Sequence, residues 1–171
     1  METWEAIRSR RNVRSFEDRP LPEDHLNEIL EAGRRAPSSQ NWQPWDFVVI
    51  TEREQLVRLS QTWQGAGHVA HSAATIALVA SPPEDERRRG TLYYDLGQAT
   101  VSIMLAAASL GIGSCHSSAR DQELAREVLG FPADKFCPYL ISLGYPAGRP
   151  LSLIRRPDRR PLDDVVHRGH W

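Results

Sequence analysis

Apolar positions along the chain fall into two kinds of short run, one at helical spacing and one continuous or alternating. Residues 3–9 form a short amphipathic stretch through Trp4, Ile7 and the stem of Arg8, which predicts a helix. Residues 22–36 carry Leu26, Ile29, Leu30 and Gly33 at helical spacing. Pro22 suits the first turn, with Glu23 and Asp24 beside it. Arg34 and Arg35 suit the end, and Pro37 stops the helix. Residues 46–51 are a β-branched run and predict a strand, and 52–61 predict a surface helix. Residues 73–80 (AATIALVA) read as a buried strand closed by Pro82 and Pro83.

Residues 93–110 predict the most informative helix. Its second half, Ile103, Met104, Leu105, Ala106, Ala107 and Ala108, is apolar almost all round. A helix without a polar face is covered on every side. In a chain of 171 residues, a second subunit is the expected cover. Residues 112–116 predict a strand, 120–129 a helix and 139–144 a strand. After Pro146 the chain is polar and Pro-rich until 162–166, which predict one last strand. An arm over about 147–171 that ends on an apolar strand suits a neighbour's sheet edge. The expected fold class is α+β, with helices packed on a mixed, mostly antiparallel sheet. Residues 1–171 form one domain, with the arm reaching onto a dimer partner.

Composition adds little and excludes some classes. Hydrophobic residues make up 40% and charged residues 25%, an ordinary globular balance. A net charge of -1 gives no global field toward nucleic acid or membrane. Cys115 and Cys137 show no zinc-type spacing, so no metal and no disulfide framework are expected. The N-terminus METWEAIRSRR has no signal-peptide apolar region. Residues 101–112 are too short to span a bilayer. The expectation is a cytoplasmic protein.

Four segments carry candidate chemistry. In Arg10-Arg11-Asn12-Val13-Arg14, alternation puts Arg10, Asn12 and Arg14 on one side. Guanidinium forks match phosphate or carboxylate. The plain alternative is a solvated basic turn. The loop Pro37-Ser38-Ser39-Gln40-Asn41-Trp42-Gln43-Pro44-Trp45 joins hydroxyls, amides and flat apolar surface, which fits a ring ligand with a polar edge. It could equally be a connector anchored by its tryptophans. Leu110-Gly111-Ile112-Gly113-Ser114-Cys115-His116-Ser117-Ser118 permits close backbone approach, and a helix cap alone would explain Gly111. It lacks the dinucleotide fingerprint. Arg159-Arg160-Pro161-Leu162 is, alone, a basic turn. Cys115 beside His116 reads as a small buried hydrophobe, because adjacent strand residues point to opposite faces. His68 and His71 precede a strand and could line a pocket.

Taken in order, these segments resemble the FMN-dependent nitroreductase family. The similar elements are the RRxVR-type stretch, the PSSxNxQPW loop, the alanine-rich helix ending LGIGSC, the strand ending Ile141-Ser142-Leu143-Gly144-Tyr145-Pro146, and the closing Arg-Arg-Pro-Leu motif with its acidic pair and Val-Val-His. The resemblance covers nearly the whole chain. It implies a homodimer with FMN at the subunit interface and NADH or NADPH as electron donor. It implies hydride transfer through flavin N5 to a small electron-poor acceptor, a nitroaromatic or a quinone, by a ping-pong scheme. It implies Arg10, Arg11 and Asn12 near the phosphate and ring, and Arg14 as electrostatic support at the pyrimidine edge. Arg159 and Arg160 complete the phosphate site. Pro37, Ser38, Ser39, Asn41 and Gln43 come from the other subunit. The backbone of Ser117, Ser118 and Ala119 lies near N5 and O4. His68 stands where other members have Lys or Asn. No side-chain acid or base is implied in the transfer itself.

The departures are few. Asn12 stands where the family often has Ser, and residues 84–90 are too brief for a substrate-covering helical insertion. Other flavin reactions on the same fold, ene reduction or dehalogenation, share these residues. A non-catalytic flavin store or redox sensor would bind flavin without rapid NAD(P)H oxidation. A nucleic-acid module is opposed by the net charge and by the lack of an alternating basic-aromatic stripe.

Overall fold

The computed structural model describes residues 2–171. Its helices are α1 Thr3–Ser9, α2 Glu23–Arg34, α3 Arg53–Ser60, α4 Glu86–Ser109 and α5 Gln122–Leu129. Its strands are β1 Asp46–Ile50, β2 Ala74–Ala80, β3 Gly113–Ser118 and β4 Phe136–Gly144. The strands form one sheet in the order β1-β2-β4-β3, antiparallel throughout. The expected mixing reduces to one isolated parallel bridge, Asn12 to Ser114, among the described residues. Every residue of β2 is buried, which explains why its sequence lacks alternation.

The sheet separates two cores. On one face Ile76, Leu78, Ile141 and Leu143 pack with Ile29 of α2 and with Leu92, Leu96 and Ile103 of α4. On the other, Ala77, Val79 and Leu140 pack with Leu56 and Leu59 of α3, Ala125 of α5 and Val69 of a 3-10 stretch, Gln64–His71. Burying each large aliphatic side chain stabilises the fold by roughly 1.5–3 kcal/mol.

The N-terminal segment is laced along β3 and the end of β4. The Val13 N–H donates to the Ser114 carbonyl at 2.9 Å, and the Glu17 N–H to the Tyr145 carbonyl at 2.8 Å. Gly113 makes this approach possible, since a Cβ there would stand 2.7 Å from Val13 Cγ2. Gly111, with φ 73, ends the turn before it.

Two expectations differ from the structure. Helix α4 starts at Glu86 rather than 93. Asp85 caps it, its carboxylate accepting the Arg88 N–H at 2.7 Å. Residues 86–90 are exposed, so that turn carries no apolar periodicity. The strand expected over 162–166 is instead a 3-10 turn, Leu162–Asp164. Leu162 is 68% exposed, and no strand lies beside it in its own chain. Without a ladder or a core, that short run lacks the hydrogen bonds and burial that define a strand.

Candidate functional site

Strand β3 lies at the edge of the sheet, and its alternation sorts the side chains around it. His116 and Ser118 pair with Ile141 and Tyr139, on the α4 side. Cys115 and Ser117 pair with Ser142 and Leu140, on the opposite side. Arg10, at the end of α1, donates from Nη1 to Asn12 Oδ1 at 3.2 Å. It lines a cavity of about 310 Å³ with Tyr93, Gly97, Thr100, Met104 and His116. Arg14 is exposed, while Val13 between them is buried. Neither Arg10 nor Arg14 has a carboxylate partner among the described residues.

On the other side of β3, His68 is 7% exposed. Its Nδ1 lies 2.8 Å from Ser142 Oγ, while Nε2 is buried without a partner. Burial, then the charges of Arg14 and His116, push its pKa down to about 4, so the ring is neutral at neutral pH. Burial, then Arg10 and Arg14, lowers His116 as well. Ser117 Oγ is likewise buried without a partner. An orphaned buried polar atom costs about 1–3 kcal/mol. His68 Nε2, near the uncompensated Arg14 guanidinium, marks a place suited to a polar ligand. Burial raises the pKa of the Cys115 thiol, which faces away from His116 and is inert.

The remaining sequence candidates are placed differently. The Arg11 guanidinium turns from this cluster to the Arg149 carbonyl and latches the start of the C-terminal arm. Ser118 is half-buried, and Ala119 is buried with its N–H donated to the Pro138 carbonyl at 3.2 Å. Arg159 and Arg160 are exposed. Among the described residues they bond within the arm, to the carbonyls of Asp158 and Asp164.

The loop after α2 is pinned to α4. The Ser39 N–H donates to both Asp95 carboxylate oxygens at 3.0 and 3.1 Å, and its hydroxyl to one of them at 3.1 Å. The Gln43 N–H donates to Ser38 Oγ at 2.9 Å. Gln40, Asn41 and Gln43 have φ of 53, 57 and 52, a conformation that costs side-chain-bearing residues about 1–3 kcal/mol each. Pro37 is exposed at the start of the loop. Trp45 packs in the core and stacks on Phe47, whereas Trp42 is 44% exposed. Asp95 lies two residues from both Tyr93 and Gly97, so it points to the opposite side of α4 from the Arg10 cavity. Within one chain, the loop and the arginine site are therefore on different sides of the helix.

Asp95 and Ser142 were missed by sequence reasoning. Asp95 was visible as a lone acid entering the apolar part of α4, and Ser142 as a hydroxyl inside an apolar strand. Both are fully buried.

The family model for the Nitroreductase family matches residues 7–63 and 60–145. The chain belongs to the Nitroreductase family. An Archaeoglobus fulgidus protein with the provisional name NADH dehydrogenase/NAD(P)H nitroreductase is 32% identical over 99% of each chain. The NADH dehydrogenase of Thermus thermophilus is 30% identical, over 94% of this chain and 93% of its own. The FMN-dependent nitroreductase of Clostridium difficile R20291 superposes with a TM-score of 0.84 and 26% identity, over 98% of this chain and 99% of its own. In this nitroreductase-family chain, no described group of His, Cys, Asp and Glu could hold a metal ion. No described helix is long and apolar enough to cross a membrane.

Proposed function

We propose that the protein is a homodimer that binds flavin mononucleotide between its subunits and moves hydride from NADH or NADPH to a small electron-poor acceptor, a nitroaromatic or a quinone. One observation carries this reading. Arg10 and Arg14 have no carboxylate partner among the described residues, and beside Arg14 the buried His68 Nε2 has no partner either. That set fits a ligand with an anionic end and a polar ring edge, as a flavin mononucleotide has. When bound, the flavin would supply the hydride-transfer chemistry, in a ping-pong order between donor and acceptor.

The protein binds, orients and balances charge. Arg10 and Asn12 face the phosphate as a bonded pair. Arg14 would stand at the pyrimidine edge, where its charge would offset the electron density that grows on reduction. His68, held by Ser142 and kept neutral, would offer Nε2 to the same edge without adding a buried charge. The backbone of Ser117 and Ser118 would hold the ring. Ala119 supports that turn through its bond to Pro138.

Two copies supply what one chain separates. Pro37, Ser38, Ser39, Asn41 and Gln43 lie across α4 from the arginine site, so they serve the neighbour's flavin. Helix α1 packs on α4, and the pair leaves Trp4, Ile7, Tyr94 and Val101 exposed as the surface for the second copy. The arm, latched by Arg11, brings Arg159 and Arg160 to complete the phosphate site. The two free buried thiols suit a reducing, cytoplasmic compartment.

The visible spectrum tests this directly. The purified protein is expected to be yellow, to elute as a dimer, and to bleach on adding NADH or NADPH. Double-reciprocal plots at several acceptor concentrations should be parallel. A colourless protein that takes up no FMN when offered it would end the reading.

A further inference from the structure

We infer that the cavity between the Ser39 loop and the start of α4 binds the adenosine diphosphate end of the nicotinamide donor. The cavity measures about 620 Å³ and is lined by Ser39, Trp42, Glu84, Arg87, Arg88 and Thr91. That volume lies within the roughly 300–1,000 Å³ of small-molecule sites. Its chemistry is that of a nucleotide receptor. Trp42 holds its indole 44% exposed on a turn of left-handed residues, while Trp45 nearby is used by the core. The Arg88 guanidinium stands 5.3 Å from the Trp42 ring centroid. An exposed indole with a cation lying over one of its faces leaves the other face to stack a base, with phosphate next to the cation.

The charges around the cavity are arranged to stay available. Arg89 pairs with Glu86, but Arg87 and Arg88 have no carboxylate partner among the described residues. Asp85, which also lines the cavity, is held at the start of the helix by accepting the Arg88 backbone N–H. Two guanidinium groups can therefore fork a pyrophosphate. The free carboxylate of Glu84 suits ribose hydroxyls.

Position completes the case, and here the inference rests on the proposed function. Ser39 both lines this cavity and belongs to the loop assigned to the neighbour's flavin. A donor with its nicotinamide on that ring would have its adenylate directed to the cavity.

The test uses the flavin-loaded dimer. ADP should bind by calorimetry, one per chain, and should compete with NADH. The double variant Arg87→Ala/Arg88→Ala should weaken ADP binding and raise the KM for NADH, each about tenfold. Trp42→Leu should act in the same direction. Reduced nicotinamide mononucleotide lacks the adenylate, so the double variant should also lose most of the preference for NADH over it in kcat/KM. ADP that does not bind, or an NADH KM and preference unchanged in the double variant, would overturn the inference. So would a variant in which only the acceptor's KM rises, since the cavity would then belong to an anionic acceptor. Flavin absorbance is read separately. A chain that takes no flavin defeats the proposed function, while ADP calorimetry on it still decides the cavity.

Discussion

The chain carries arginines in two places that look alike in sequence and differ entirely in how they are held. Arg10 and Arg14 flank a buried valine whose backbone is bonded to β3 and whose side chain fills the space left by Gly113. Arg159 and Arg160 ride on an exposed arm tied to the rest of the chain by few contacts, such as the Ile154 N–H to the Arg8 carbonyl. The first pair is positioned by the fold. Among the described residues the second bonds to carbonyls within the arm. The difference teaches that a guanidinium becomes part of a site only when the backbone beneath it is fixed, because ordering a free segment costs about 1–2 kcal/mol per residue.

The sharpest way to break the comparison is to unlace the first region. In Gly113→Val, side-chain atoms would collide with Val13 within 3 Å. The variant should lose about 1–3 kcal/mol of stability and nearly all flavin, read by urea midpoint and by absorbance. Arg14→Ala should be milder. It should weaken FMN binding by a factor on the order of 10–100 and lower the flavin's reduction potential, with the urea midpoint little changed. An unaltered potential in the flavin-bound variant would remove Arg14 from its role.

A pH titration separates fold from ligand at the same edge. The pKa of His68 falls to about 4 in the folded state, against 6.5 unfolded. The unfolded chain therefore binds the extra proton first. The stability this group contributes is complete above pH 6.5 and is lost as pH falls toward 4. The loss should be of the order of 2–3 kcal/mol. His68→Gln should flatten that part of the profile, leaving a smaller slope from His116, which is lowered by burial too. The smallest effect is expected from the second region. Removing residues 157–171 should leave the monomer's thermal midpoint within a few degrees, since they are exposed, yet weaken FMN binding several-fold. A large loss of stability would show that the arm is held more firmly than its contacts indicate.

Much of the fold was legible because burial leaves a periodic trace. Strand β2 reads as a continuous apolar run, and α2 shows both its stripe and its end signals. The start of α4 left no such trace, since an exposed turn held by one capping bond needs no apolar pattern. The apolar run at 162–166 misled for the converse reason, because a strand exists only where another strand accepts its hydrogen bonds. The candidate site was legible as residue types. Arg10, Arg14, the serine loop and His68 were all visible as polar groups in sequence.

Which of them meet was not visible. The sequence alone determined most of the elements, the freedom of the Gly111–Gly113 segment for a close backbone approach, and the list of groups able to hold a phosphate and a polar ring. Only the tertiary structure decided that Arg11 serves the arm, that Ser142 holds His68, and that Asp95 pins the serine loop on the far side of α4 from Arg10. The reason is physical. Local propensity acts between residues a few positions apart, whereas a site is made of side chains whose separation depends on how the whole sheet and its helices pack.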